Sequence, residues 1–136
     1  MVLIIDNENR NGLQDLVVYY DLLQKERFNS SIDSSILDEM LKGGAWALLY
    51  DEGFITMILK EGVYILLDIY VLPAYRKIGL AKQWIKDIEN IYQPLCGAIS
   101  LGAPEKYMDL TKALYSSVGY KPFHQDNGIV YIRKEI

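Results

Sequence analysis

Residues 63–81 read VYILLDIYVLPAYRKIGLA. Tyr64 to Leu72 is almost wholly apolar, as expected of a central strand buried on both faces. Pro73 ends it, because proline cannot donate to a sheet ladder. Arg76, Lys77 and Gly79 then lead into a helix over Gly79 to Tyr92, with apolar residues at 81, 84, 85, 88 and 91. A loop between a buried strand and a helix is where open α/β sheets bind ligands. The first amides of such a helix have no internal partner, and its dipole adds positive charge there. A glycine lets the backbone approach a ligand, and Arg76 and Lys77 contribute formal charge. These features suit a diphosphate. A solvated polar turn would use the same residues, so the wider sequence must choose.

Ahead of this stretch, Val2 to Ile5 is a β-branched first strand. Leu13, Leu16, Val17, Tyr20 and Leu23 follow helical spacing. A second helix is expected over Ser31 to Leu41, with serines at its start and Ile36, Leu37, Met40 and Leu41 on its apolar side. Gly43-Gly44 stops it. Trp46 to Tyr50 and Phe54 to Leu59 are strand-like, joined by the hairpin signal Asp51-Glu52-Gly53. Gly62 marks the next turn.

Beyond the stretch, Pro94 ends the helix and Leu95 to Leu101 reads as a strand. Pro104 suits the first turn of a helix whose inner face is Tyr107, Leu110, Leu114 and Val118, with Gly119 as its stop. Ile129 to Ile132 makes a last strand, and one more at Lys121 to His124 is left open. The order β-α-α-β-β-β-α-β-α-β is an antiparallel meander leading into a β-α-β unit. That is an α/β chain with a mixed sheet covered by helices.

Composition sets the bounds. A chain of 136 residues, 51% apolar, is expected to be a single domain spanning 1–136. A net charge of −4 implies no basic face for a nucleic-acid backbone and is compatible with amine substrates. The one cysteine, Cys96, excludes an intrachain disulfide and reads as a small buried hydrophobe. The start MVLIIDNENR has no basic segment before its apolar residues, so it is not read as a signal peptide. The run from Val63 to Pro73 contains Asp68 and is too short for a bilayer. A soluble, cytoplasmic protein with no membrane partner is expected, and a homodimer is left open. The one histidine, His124, gives no metal site and reads as a surface residue.

VLPAYRKIGLA resembles the coenzyme A motif of the GNAT family of acetyltransferases. That motif has V-x-P at the end of the fourth strand and R/Q-x-x-G-x-G/A at the start of the next helix. Val71-Leu72-Pro73 and Arg76-Lys77-Ile78-Gly79-Leu80-Ala81 match it. Downstream, Leu114-Tyr115-Ser116-Ser117-Val118-Gly119-Tyr120 resembles the family's L-Y-x-x-x-G-F. The match covers roughly Trp46 to Phe123, and the element order is the family's order. The resemblance implies a GNAT acyl-CoA N-acyltransferase fold: a mostly antiparallel sheet, helices on both faces, and splayed fourth and fifth strands. Three positions depart from the pattern. Ile78 replaces a glycine or basic residue, Met108 replaces an asparagine that would touch pantetheine, and Ile65 stands where some members carry a glutamate base.

The resemblance further implies an acetyl-CoA-dependent N-acetyltransferase acting by direct attack of a primary amine, on a small molecule or a protein. Acetyl-CoA is the co-substrate, and no metal is expected. Residues 76–81 (Arg76, Lys77, Ile78, Gly79, Leu80 and Ala81) would hold the diphosphate. The backbones of Ile69 and Val71 would pair with pantetheine, and an amide there could polarise the thioester carbonyl. Tyr115 would be the general acid, since a phenol near pKa ~10 and a thiol near ~8.5 can exchange a proton as sulfur departs. Read as a residue only, Tyr115 packs at helical spacing. Asp68, the single charge in an apolar run, is either a base with a raised pKa or a structural carboxylate. The alternative for the whole chain is a GNAT-fold module that binds coenzyme A or a protein without catalysis. Eleven tyrosines, among them Tyr19, Tyr20, Tyr64, Tyr70 and Tyr75, suit either an acceptor pocket or a partner surface.

Overall fold

A computed structural model describes residues 2–30, 34–92, 98–104, 116–117 and 119–135. The elements are β1 (Leu3–Ile5), α1 (Leu13–Phe28), α2 (Ser34–Lys42), β2 (Trp46–Tyr50), β3 (Gly53–Lys60), β4 (Val63–Val71), a 3-10 turn (Pro73–Tyr75), α3 (Leu80–Tyr92), β5 (Ala98–Pro104), β6 (Lys121–Asp126) and β7 (Ile129–Glu135). The expected mixed α/β architecture is present. The chain forms two compact units, Met1–Ile58 with Asp68–Arg76, and Leu59–Leu67 with Lys77–Ile136.

In the first unit the strand order is β1-β2-β3-β4. β1 and β2 are antiparallel, with Leu3 opposite Leu49, and β2 and β3 close a two-residue hairpin in which Tyr50 faces Gly53. Leu16, Tyr20 and Leu23 of α1 and Leu37 and Leu41 of α2 are buried in one cluster with Ile5, Ala47, Leu49, Phe54 and Tyr70. The helical spacing in the sequence has this cause, since only positions three and four apart share a face. Each fully buried aliphatic side chain stabilises by about 1.5–3 kcal/mol. The apolar side expected for α2 holds at Leu37 and Leu41, whereas Ile36 is exposed.

In the second unit the order is β4-β5-β7-β6. β4 and β5 are parallel, and their register runs from Val63 opposite Ala98 to Leu66 opposite Leu101. A parallel pair needs a long crossover, and the expected helix supplies it as α3, burying Trp84, Ile85 and Ile88. β5 and β7 are antiparallel from Ala98–Glu135 to Pro104–Ile129. Pro104 therefore ends a strand instead of opening a helix. A proline is tolerated at a strand end, where a missing donor costs least. The strand left open at residues 121–124 forms as β6. Ser116 and Ser117 are helical, and Gly119 turns the chain with φ 95° after them. The rest of the helix expected after Pro104, Met108 and Tyr115 included, lies outside the described residues.

Candidate functional site

The turn after β4 is built from its dihedrals. Pro73 sits in the first turn of the 3-10 helix, and the Tyr75 amide donates to Leu72 O at 2.9 Å. Lys77 and Gly79 then take left-handed conformations, φ 67° and 83°. Lys77 does so at a cost that only glycine escapes. The first bond inside α3 runs from the Gln83 amide to Gly79 O at 3.0 Å. The amides of Leu80, Ala81 and Lys82 thus precede any internal acceptor and lie at the positive end of the helix dipole. A Cβ placed on Gly79 would meet nothing within 4 Å among the described residues, so the backbone is open at Gly79 itself. Ile78 is 69% exposed there. Backbone donors, an open approach and the Lys77 charge make a cradle that fits a diphosphate.

Arg76 takes a different direction. Its Nε donates to Val71 O at 2.8 Å and its Nη2 to Glu26 Oε2 at 2.7 Å. Its guanidinium lies 5.4 Å from the centre of the Tyr70 ring. The side chain folds back on its own unit, so the formal charge of the cradle falls to Lys77.

Asp68 sits in the first unit among hydroxyls. Thr56 Oγ1 donates to Asp68 Oδ2 at 2.9 Å, and the Tyr20 hydroxyl bonds the same carboxylate. Thr56 is 2% exposed and Tyr20 7%. Burial pushes the Asp68 carboxyl above the usual carboxylate range, against the opposing pulls of Thr56, the Arg27 charge and Tyr20. Burial and the Asp68 charge push the Tyr20 phenol upward. A hydroxyl at that pKa stays protonated and serves as a donor. Arg27, in the last turn of α1, donates through Nη2 to Ile69 O at 2.9 Å.

The other tyrosines separate by burial. Tyr64 and Tyr70 are buried with Tyr20, so these three do not line an open surface. Tyr75 is exposed, and the Tyr19 hydroxyl donates to Asp51 O at 3.0 Å. Arg27 and Thr56 are the site residues that sequence reasoning missed. A cation in the last turn of a helix reads as a dipole partner. A lone threonine in an apolar strand carries no signal until its cross-strand neighbour is known.

No protein-family model matches the chain, and no curated protein matches its sequence. Similar solved structures do exist. The aminoglycoside 6'-acetyltransferase type Ii superposes with a TM-score of 0.75 at 20% identity, covering 99% of this chain and 96% of that one. A GNAT-family acetyltransferase from Staphylococcus aureus gives 0.70 at 18% identity, with 99% of each chain covered. The PaiA N-acetyltransferase from Thermoplasma acidophilum, in complex with coenzyme A, gives 0.65 at 13% identity, with 100% and 99% covered. Identities this low speak to architecture. The resemblance read at Val71–Ala81 and the whole-chain superpositions agree, and the protein has the fold of the GNAT acetyltransferases.

Proposed function

We propose that this protein transfers an acetyl group from acetyl-CoA to a primary amine. One observation carries the reading: an open turn of left-handed Lys77 and Gly79, heading α3 directly after the V-x-P strand end, in a GNAT fold. In this reading residues 77–81 hold the diphosphate through backbone amides, and Lys77 adds charge. The backbones of Ile69 and Val71 serve the pantetheine arm. The amine nitrogen attacks the thioester carbonyl carbon, forming C–N as C–S breaks. The amine's proton passes to a base, for which Asp68 is proposed, directly or through water. The departing thiolate takes a proton from the Tyr115 hydroxyl. The acceptor is an amine, as the aminoglycoside enzyme of similar fold illustrates for its own substrate, and the cytoplasm is the expected setting.

The second reading, a coenzyme A- or protein-binding module without catalysis, is favoured by Ile65, Ile78 and Met108 at positions that carry functional side chains elsewhere in the family. Calorimetry separates the first requirement. Coenzyme A should bind the wild type, and Gly79→Asp, which puts bulk and negative charge in the cradle, should weaken binding at least tenfold. Equal affinity in the two proteins would overturn the cradle. Turnover against a panel of amines then decides between enzyme and binding module.

A further inference from the structure

The Ile69 and Val71 carbonyls share one edge of β4. The Leu72 amide donates to Glu52 O at 2.8 Å, and a Cβ on Gly53 would stand 1.9 Å from the Tyr70 carbonyl oxygen. Tyr70 and Leu72 therefore turn their backbone groups toward the β3 side. Strand alternation turns the carbonyls of Ile69 and Val71 the other way. Each of them already holds an arginine: Arg27 Nη2 at 2.9 Å from Ile69 O, and Arg76 Nε at 2.8 Å from Val71 O. Both contacts depend on the last turn of α1. Arg27 belongs to that turn, and its neighbour Glu26 holds Arg76 through Oε2 at 2.7 Å. The Arg27 charge acts on the Asp68 carboxylate, and the Tyr70 ring lies 5.4 Å from the Arg76 guanidinium.

We propose that the two arginines are built-in occupants of this strand edge, and that displacement of Arg27 sets how tightly the protein holds an acyl-CoA arm. The inference rests on the acyl-CoA reading above. An arm whose amide N–H groups pair with this edge meets carbonyls that already accept a charge-assisted bond. A carbonyl has two lone pairs, but one that already accepts from a guanidinium is a poorer acceptor for a second donor arriving on the same side. Binding is then an exchange, in which an arginine leaves as an amide arrives. Arg76 belongs to the 76–81 turn, whereas Arg27 stands in α1 outside it, so Arg27 is the arginine whose removal probes the edge and spares the turn.

Arg27→Met keeps the aliphatic stem and removes every donor. The probes are coenzyme A and 3'-phosphoadenosine diphosphate, its nucleotide half without the arm, each titrated calorimetrically into wild type and variant. Coenzyme A should bind the variant about tenfold or more tightly, the scale of one hydrogen bond to a charged group. The nucleotide half should bind both proteins equally. Unchanged or weaker coenzyme A binding by the variant, with the nucleotide half still bound, overturns the displacement and leaves the acyl-CoA reading intact. Failure of both ligands on the wild type overturns the acyl-CoA reading and the displacement with it. A measurement on the wild type avoids any folding defect of the variant. The Arg27 side-chain N–H resonance should shift with coenzyme A and stay unmoved with the nucleotide half. A resonance that ignores coenzyme A overturns the proposal.

Discussion

A carboxylate inside an apolar strand needs donors or a proton, and Asp68 draws on both. Thr56 and Tyr20 donate to it, yet burial still dominates and raises its pKa. The folded protein therefore keeps the Asp68 proton at pH values where the unfolded chain, near ~3.9, has lost it. Folding then takes up a proton in that window, and the Asp68 contribution to stability falls as pH rises from about 4 through the folded pKa. Urea melts of wild type and Asp68→Asn across pH 4 to 8 should show the wild-type advantage shrinking with pH and then levelling. An advantage that grows with pH would mean a depressed pKa. The same elevation suits a base, so the amine-transfer rate of Asp68→Asn should fall most above the folded pKa, where the wild-type carboxylate can accept a proton, and least below it. Tyr115 is tested by removing one atom. Tyr115→Phe should melt like the wild type and lose roughly tenfold or more in turnover, the scale of general acid catalysis. Unchanged turnover would make Tyr115 a packing residue.

Gly53 begins β3 with φ 155° because the Tyr70 carbonyl occupies the space a side chain would need. Gly53→Ala brings a Cβ to 1.9 Å from that oxygen, so the strands must part. A loss of about 3 kcal/mol is expected, and a melting temperature lower by on the order of 10 °C. A drop under about 3 °C would show that the hairpin yields easily. Sequence reasoning placed this glycine in a turn and could not see the strand residue that requires it. The same limit explains the rest. Helical faces and the buried strand were legible, because periodicity reports which side of an element meets a core. The boundary at Pro104 was not, because proline fits a helix start and a strand end equally. β7 was read only to Ile132, because Arg133, Lys134 and Glu135 hide a strand that pairing with β5 extends. Arg27 was beyond reach, since its partner Ile69 lies 42 residues away.

A protein of net charge −4 that binds a polyanion must do so through local donors, because its overall field opposes the ligand. In the proposed reading, residues 77–81 supply these as backbone amides, with Lys77 adding charge. Ligand affinity is folding stability by mass action, so the cradle can be weighed from melting curves alone. Coenzyme A at 100 times its dissociation constant should add ~2.7 kcal/mol. For a chain of this size that raises the melting temperature by on the order of 10 °C. If the diphosphate is the anchor, 3'-phosphoadenosine diphosphate should reproduce most of the shift. Pantetheine, which lacks the diphosphate, should give almost none at equal concentration. Gly79→Asp should cut the coenzyme A shift to about half or less, while the unliganded protein stays folded, because the added side chain meets no described atom within 4 Å and its main penalty is the left-handed φ of 83°. A pantetheine shift equal to that of coenzyme A would move the anchor from the helix N-terminus to the strand edge, and the diphosphate would then be a passenger.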